Sequence, residues 1–159
     1  MAVGVIQFER VRHLHGPSFF ALRRASILAG CSAHYPVSQL ELWTDPRLDG
    51  SLHEPLPHHF YFAKIDSVIT ASGMLDLPTG RIEAMFVSPS YFGRGIGRAL
   101  MQHLEVIARN HGLAALSLDA TLNAAGFYRS MGFRGDQRSI FHSPRGVSIE
   151  CIAMTKALG

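Results

Sequence analysis

Residues 82–100 read IEAMFVSPSYFGRGIGRAL: an apolar strand, a break at Pro89, a loop of closely spaced glycines and the opening turns of an amphipathic helix. Gly93, Gly95 and Gly97 carry no side chain, so a ligand can come close to the main chain there. A helix that begins in such a loop presents unpaired N–H groups and the positive end of its dipole. Together these predict an anion site, most naturally for phosphate. The planar guanidinium groups of Arg94 and Arg98 suit phosphate oxygens.

Three kinds of glycine-rich loop compete for this stretch. A nucleoside-triphosphate loop needs Gly-Lys followed by Ser or Thr, and Gly97-Arg98-Ala99 supplies neither the ammonium nor the magnesium-binding hydroxyl. A dinucleotide loop needs a third glycine where Arg98 stands, and it follows its strand tightly, whereas SPSYF separates Val87 from Gly93. The third kind is the phosphate motif of the Gcn5-related N-acetyltransferase (GNAT) superfamily, roughly Val-x-Pro-x-x-Arg/Gln-Gly-x-Gly-Ile/Val-Gly/Ala before a helix. The chain resembles it at Val87, Pro89, Gly93, Gly95, Ile96 and Gly97. Phe92 departs from the usual Arg or Gln, a small loss to a loop that works through main-chain amides, with Arg94 as a nearby cation. A second stretch, Asn123-Ala124-Ala125-Gly126-Phe127-Tyr128-Arg129-Ser130-Met131-Gly132-Phe133, is similar to the superfamily's later short helix, which carries a tyrosine four residues before Gly-Phe. The resemblance spans about Tyr61 to Phe141.

That resemblance implies a single N-acetyltransferase domain over residues 1–159 with an α/β (α+β) fold. Its central sheet would be mixed and mostly antiparallel, with six to seven strands flanked by helices and strands four and five parallel and splayed. It implies acetyl-coenzyme A as co-substrate and a primary amine of a small molecule or protein as acceptor. The pantetheine arm would lie along Met85, Phe86 and Val87, and the diphosphate on the amides from Phe92 to Arg98, a run that includes Ile96. Asn123 would contact the pantetheine. Tyr128 matches the tyrosine that protonates the departing thiolate; a packed ring with a satisfied hydroxyl is the alternative. Glu83, counted by period two onto the face of Met85 and Val87, is the candidate base if burial raises its pKa. A salt bridge to Arg81 or a water chain are the other readings of that position. Tyr35 and Trp43 fall where the superfamily builds its acceptor wall; for Trp43 the alternative is packing of its helix onto the sheet, the commoner use of an aromatic residue. A coenzyme A-binding sensor without turnover is the alternative function.

Composition narrows the classes. With 47% hydrophobic and 17% charged residues, the chain fits a globular protein with a real core. A net charge of +3 without a lysine–arginine run gives no reason to expect nucleic acid. Cys31 and Cys151, the two cysteines, read as reduced, buried thiols. The N-terminal MAVGVIQFERV lacks a signal-peptide pattern, and no apolar run reaches the roughly 20 residues a bilayer span needs. A cytoplasmic location with no membrane partner is the expectation. His53, His58 and His59 lack a second ligand pair at metal spacing, so no metal is expected.

Outward from the loop, Val3 to Arg12 suits a first strand with Val5, Phe8 and Val11 inward. Ser18 is the expected cap of a helix ended by Gly30, with Arg23 and Arg24 on its solvated side. Ser38 is the expected cap of a short helix carrying Trp43. Phe60–Lys64, Val68–Leu75 and Arg81–Val87 form an antiparallel meander. A helix from Gly95 to His111 buries Ile96, Leu100, Leu104, Ile107 and Ala108 and turns Arg98, Gln102, Glu105 and Arg109 outward. Leu113–Ala120 follows as a strand parallel to strand four. Asn123 is the expected cap of the last helix, and Phe133–His142 and Gly146–Thr155 close as a hairpin. Exposed edges near the C-terminus make a homodimer an expectation.

Overall fold

The computed structural model describes residues 4–13, 17–49 and 59–159. The elements run β1 (Gln7–Arg10), α1 (Ser18–Cys31), α2 (Val37–Trp43), β2 (His59–Ile65), β3 (Val68–Asp76), β4 (Arg81–Val87), α3 (Ile96–Asn110), β5 (Ala115–Thr121), α4 (Ala125–Ser130), β6 (Arg138–His142) and β7 (Ser148–Ala157), with short 3₁₀ turns at Pro46–Leu48 and Pro89–Tyr91. This is the order the sequence predicts. Seven strands form one sheet in the order β1-β2-β3-β4-β5-β7-β6. All neighbours are antiparallel except β4 and β5, which run parallel.

Strand alternation divides the core between the two faces. Phe60 and Phe62 of β2 join Phe19 of α1 on one face, and Ala63 and Ile65 meet Ile96 and Leu100 of α3 on the other. Leu104, Leu116, Phe133 and Met154 fill the space under α3 and α4. Ile27, Leu40, Trp43 and Ile149 pack α1 and α2 against β7. The β2–β3 hairpin turns at Asp66 and Ser67, both with positive φ.

Several local expectations need correction. Neither Ser18 nor Ser38 caps its helix, because Pro17 and Pro36 occupy the cap positions and no side chain accepts a bond there. α1 continues through Gly30 to Cys31. Ala124, not Asn123, stands at the cap of α4. β1 is shorter than expected and leaves Val5 exposed. Glu105 does not face solvent: it is buried, bonded to Lys156 of β7 at 2.8 Å, with Arg109 at 3.5 Å. Arg23 and Arg24 are not free in solvent either, because α2 packs beside them and takes their hydrogen bonds at the carbonyls of Trp43 and Thr44.

Candidate active site

The glycine loop folds into a cradle. Its first amide is already used, since the Phe92 N–H donates to the Pro89 carbonyl at 3.2 Å. The run of unpaired amides therefore begins at Gly93, one residue later than expected. Gly93 (φ +72°) and Gly95 (φ +82°) both take left-handed conformations, and nothing lies within 4 Å of where a β-carbon would stand on either. Gly95 opens α3 by accepting from Ala99 at 3.0 Å. No acceptor among the described residues meets the N–H groups of residues 93 to 98. Gly97 has a different job: a β-carbon there would sit 3.4 Å from Phe127 and Val87, so this glycine lets the helix close onto β4 and α4. Arg98 bonds Ser130 Oγ at 3.2 Å, and Arg94 lies over the Tyr91 ring. Bare amides, a helix start and two guanidinium groups are a donor set that fits a diphosphate.

Beside this cradle the sheet opens. β4 and β5 share one pair, Arg81 with Ser117, where the Ser117 N–H donates to Gly80 O at 3.0 Å. Beyond it they part, leaving the edge of β4 from Met85 to Val87 without a strand beside it; the Val87 N–H reaches only Ser26 Oγ, at 3.3 Å. The strand is also bulged. Met74 pairs with Glu83 and Ser72 with Phe86, so Ala84 and Met85 together oppose Gly73, and Ala84 carries a φ of +54°. The bulge shifts the count, so that Glu83 shares a face with Phe86 rather than with Met85. The period-two assignment of Glu83 fails for that reason. Met85 turns toward α3 instead: the space over Gly73 holds its sulfur alongside Leu100 and Leu104.

A cleft of about 1090 Å³ joins the loop, the gap and the space under α1. Asn123 lines it, and its buried Oδ1 has no partner, a feature that fits an amide N–H from a pantetheine arm. Tyr128 lines it too, and burial pushes its phenol above the ordinary value. Cys31 and Cys151 also face the cleft; burial pushes both thiols up, so neither is a ready thiolate nucleophile.

On the α1–α2 side of the cleft, Trp43 and Phe86 meet Arg23, whose guanidinium carbon lies 5.3 Å from the indole centre and 5.9 Å from the Phe86 ring. Burial, with the charge of Arg145 nearby, lowers Arg23 to about 10. Arg145 itself donates to the carbonyl of Asp45 and pairs with Asp49, strapping the β6–β7 turn onto the segment after α2. Glu83 is exposed and paired with Arg81, which also holds Asp119. Glu83 is therefore not a buried carboxylate. Tyr35 is absent from the cleft wall: its buried hydroxyl donates to the Glu150 carbonyl and accepts from the Leu122 N–H at 3.0 Å. Sequence reasoning missed Arg23, Asp119 and Arg145. A signal for Arg23 was present, because it stands four residues from both Phe19 and Ile27 and so shares their buried face.

Among the described residues, no group of three His, Cys, Asp or Glu side chains converges as a metal requires, and no helix is long and apolar enough to cross a membrane. His53 and His58 lie outside the described residues, and His59 stacks on Tyr61.

The sequence profile described as "Acetyltransferase (GNAT) family" matches residues 8–133. A peptidyl-lysine N-acetyltransferase, YjaB of Salmonella typhimurium, is 28% identical over 85% of this chain and 88% of its own length. A glucosamine 6-phosphate N-acetyltransferase of Trypanosoma brucei brucei is 39% identical over 38% of this chain, and the match spans 42% of that relative. Among solved structures, a GCN5-related N-acetyltransferase from Rhodopseudomonas palustris aligns over 99% of this chain and 97% of its own, with a TM-score of 0.79 and 26% identity. The PaiA N-acetyltransferase of Thermoplasma acidophilum, solved in complex with coenzyme A, has the same fold at a TM-score of 0.69 and 18% identity over 96% of this chain and 99% of its own.

Proposed function

The chain belongs to the GNAT family of acetyltransferases, and from that premise we propose that it moves an acetyl group from acetyl-coenzyme A to a primary amine of a small molecule or protein. The observation that carries this reading is the meeting, in one cleft, of the free amides at residues 93 to 98 with the unpartnered edge of β4. The coenzyme A in the PaiA complex supports the same choice of donor.

When bound, acetyl-coenzyme A supplies the activated acyl group; the chain's residues hold it and move protons. The amides of residues 93 to 98, with Arg98, bind the diphosphate. Met85 to Val87 offer main-chain hydrogen bonds to the amide-bearing arm, as an added strand would receive them, and Asn123 Oδ1 accepts from one of its N–H groups. The main chain at the Ala84–Met85 bulge, released from the β3 ladder, donates to the carbonyl oxygen as charge builds there. The amine nitrogen bonds to the carbonyl carbon as the carbon–sulfur bond breaks. Tyr128 Oη delivers a proton to the departing sulfur, and the proton lost by the amine leaves through Glu83 or water and reaches solvent, from which the phenol is restored.

The test is thiol release from acetyl-coenzyme A with a panel of amines. Tyr128→Phe keeps coenzyme A affinity by calorimetry and lowers kcat by about 100-fold or more. Because burial holds the phenol above its ordinary value near 10, Tyr128 contributes no alkaline fall in rate below about pH 10. Normal turnover by Tyr128→Phe would remove it from the mechanism.

A further inference from the structure

The acceptor end of the cleft has two poles. On one side Glu83 and Asp119 share a single cation, Arg81, leaving one negative charge in excess. On the other, Asp49 pairs with Arg145 and its charge also reaches Arg23, so that among the described residues one carboxylate stands against two arginines and none lies within ion-pair distance of Arg23. One of its N–H groups is taken by the Trp43 carbonyl, at 3.0 Å. The guanidinium carbon lies 5.3 Å from the ring centre of Trp43 and 5.9 Å from that of Phe86, and the side chain lines the cleft. A guanidinium kept charged in such surroundings is poised to bind an oxyanion with two parallel hydrogen bonds. The strap from Arg145 to Asp45 and Asp49 fixes the β6–β7 turn beside Arg23, a rigid wall that suits a compact molecule.

Resting on the acetyltransferase reading, we infer that the acceptor is a small amine bearing a carboxylate or phosphate at its far end, with that anion on Arg23 and the amine on the side of Glu83 and Asp119. Arg23 then determines which amines bind, while the chemistry is carried by other residues.

The experiment compares small amines of matched length ending in a carboxylate, a phosphate or a neutral amide, together with a lysine peptide, on the wild type, Arg23→Gln and Arg23→Lys. Thiol release gives kcat and KM, and calorimetry measures coenzyme A binding and then binding of each anionic amine to the coenzyme A-loaded protein. The wild type binds at least one anionic amine about tenfold or more tighter than the neutral analogue; Arg23→Gln raises that KM about 10- to 100-fold with kcat within about threefold. Arg23→Lys recovers part of the loss, and the neutral amine is unaffected by either change. Whichever anion wins identifies the far end as carboxylate or phosphate. Should Arg23→Gln fold poorly, judged by its coenzyme A affinity, the Arg23→Lys and wild-type comparisons decide. Preference of the wild type for the neutral amine or the peptide, equal losses for all acceptors in Arg23→Gln, or no binding of either anionic amine to the loaded protein would overturn the inference while leaving acetyl transfer standing. No coenzyme A binding and no thiol release with any amine would instead overturn the acetyltransferase reading, and this inference with it.

Discussion

Gly95 and Gly97 stand two residues apart and answer to different constraints. Gly95 combines a left-handed φ with open space where its side chain would be, so a larger residue is penalised by conformation and by blocking the cradle rather than by crowding the core. Gly95→Val is expected to cost about 1–2 kcal/mol of stability from the left-handed backbone and to abolish coenzyme A binding; calorimetry that found unchanged affinity would contradict the cradle. Gly97, pressed toward Phe127 and Val87, is there for packing. From sequence the two are indistinguishable, because both simply lack a side chain. Arg23 shows the opposite situation. Its buried face is readable from its spacing to Phe19 and Ile27, but its partner at the end of α2, the Trp43 carbonyl, stands 20 residues away, where no local pattern announces it.

Elements were more legible than the contacts between them. Period two, period 3.6 and the Gly and Pro breaks were enough for the order of strands and helices, because those signals are local. The β4 bulge was not, since it falls at an alanine and no glycine marks it; one extra residue moved Glu83 to the other face. The apolar stripe of α3 predicts Glu105 outward, yet its partner, Lys156, comes from β7, 51 positions later. That pair ties α3 to β7, and Lys156 also donates to the Met131 carbonyl after α4. Removing one member leaves the other's charge poorly solvated, so Glu105→Leu is expected to destabilise by about 2–3 kcal/mol, less than a fully buried pair would. Glu105→Leu with Lys156→Met should recover much of the loss. Urea unfolding of the two single variants and the double variant measures this; additive losses would mean the ion pair does not couple the elements.

At the scale of the whole molecule, a cluster of rings joins β1, β2 and α3. His103 stacks on Phe8 at 4.4 Å and meets Tyr61 edge-on at 4.6 Å, and its Nε2 is buried without a partner. Burial pushes both His103 and His59 below the ordinary histidine value. The unfolded chain therefore binds protons more readily than the folded one. The stability these residues contribute is complete above about pH 6.5 and is lost as pH falls from there through their lowered folded values. Urea midpoints should drop between pH 7.5 and 5.5 in the wild type and drop less in His103→Phe, which keeps the stack on Phe8; equal slopes would rule the cluster out as the source.

The sheet consists of two half-sheets, β1 to β4 and β5 to β7, that share a single rung at Arg81 and Ser117. Any molecule that spans the wedge between them supplies rungs the chain does not make for itself. Its binding free energy is then also cohesion between the halves, so occupancy of the wedge and the equilibrium stability of the folded chain rise together.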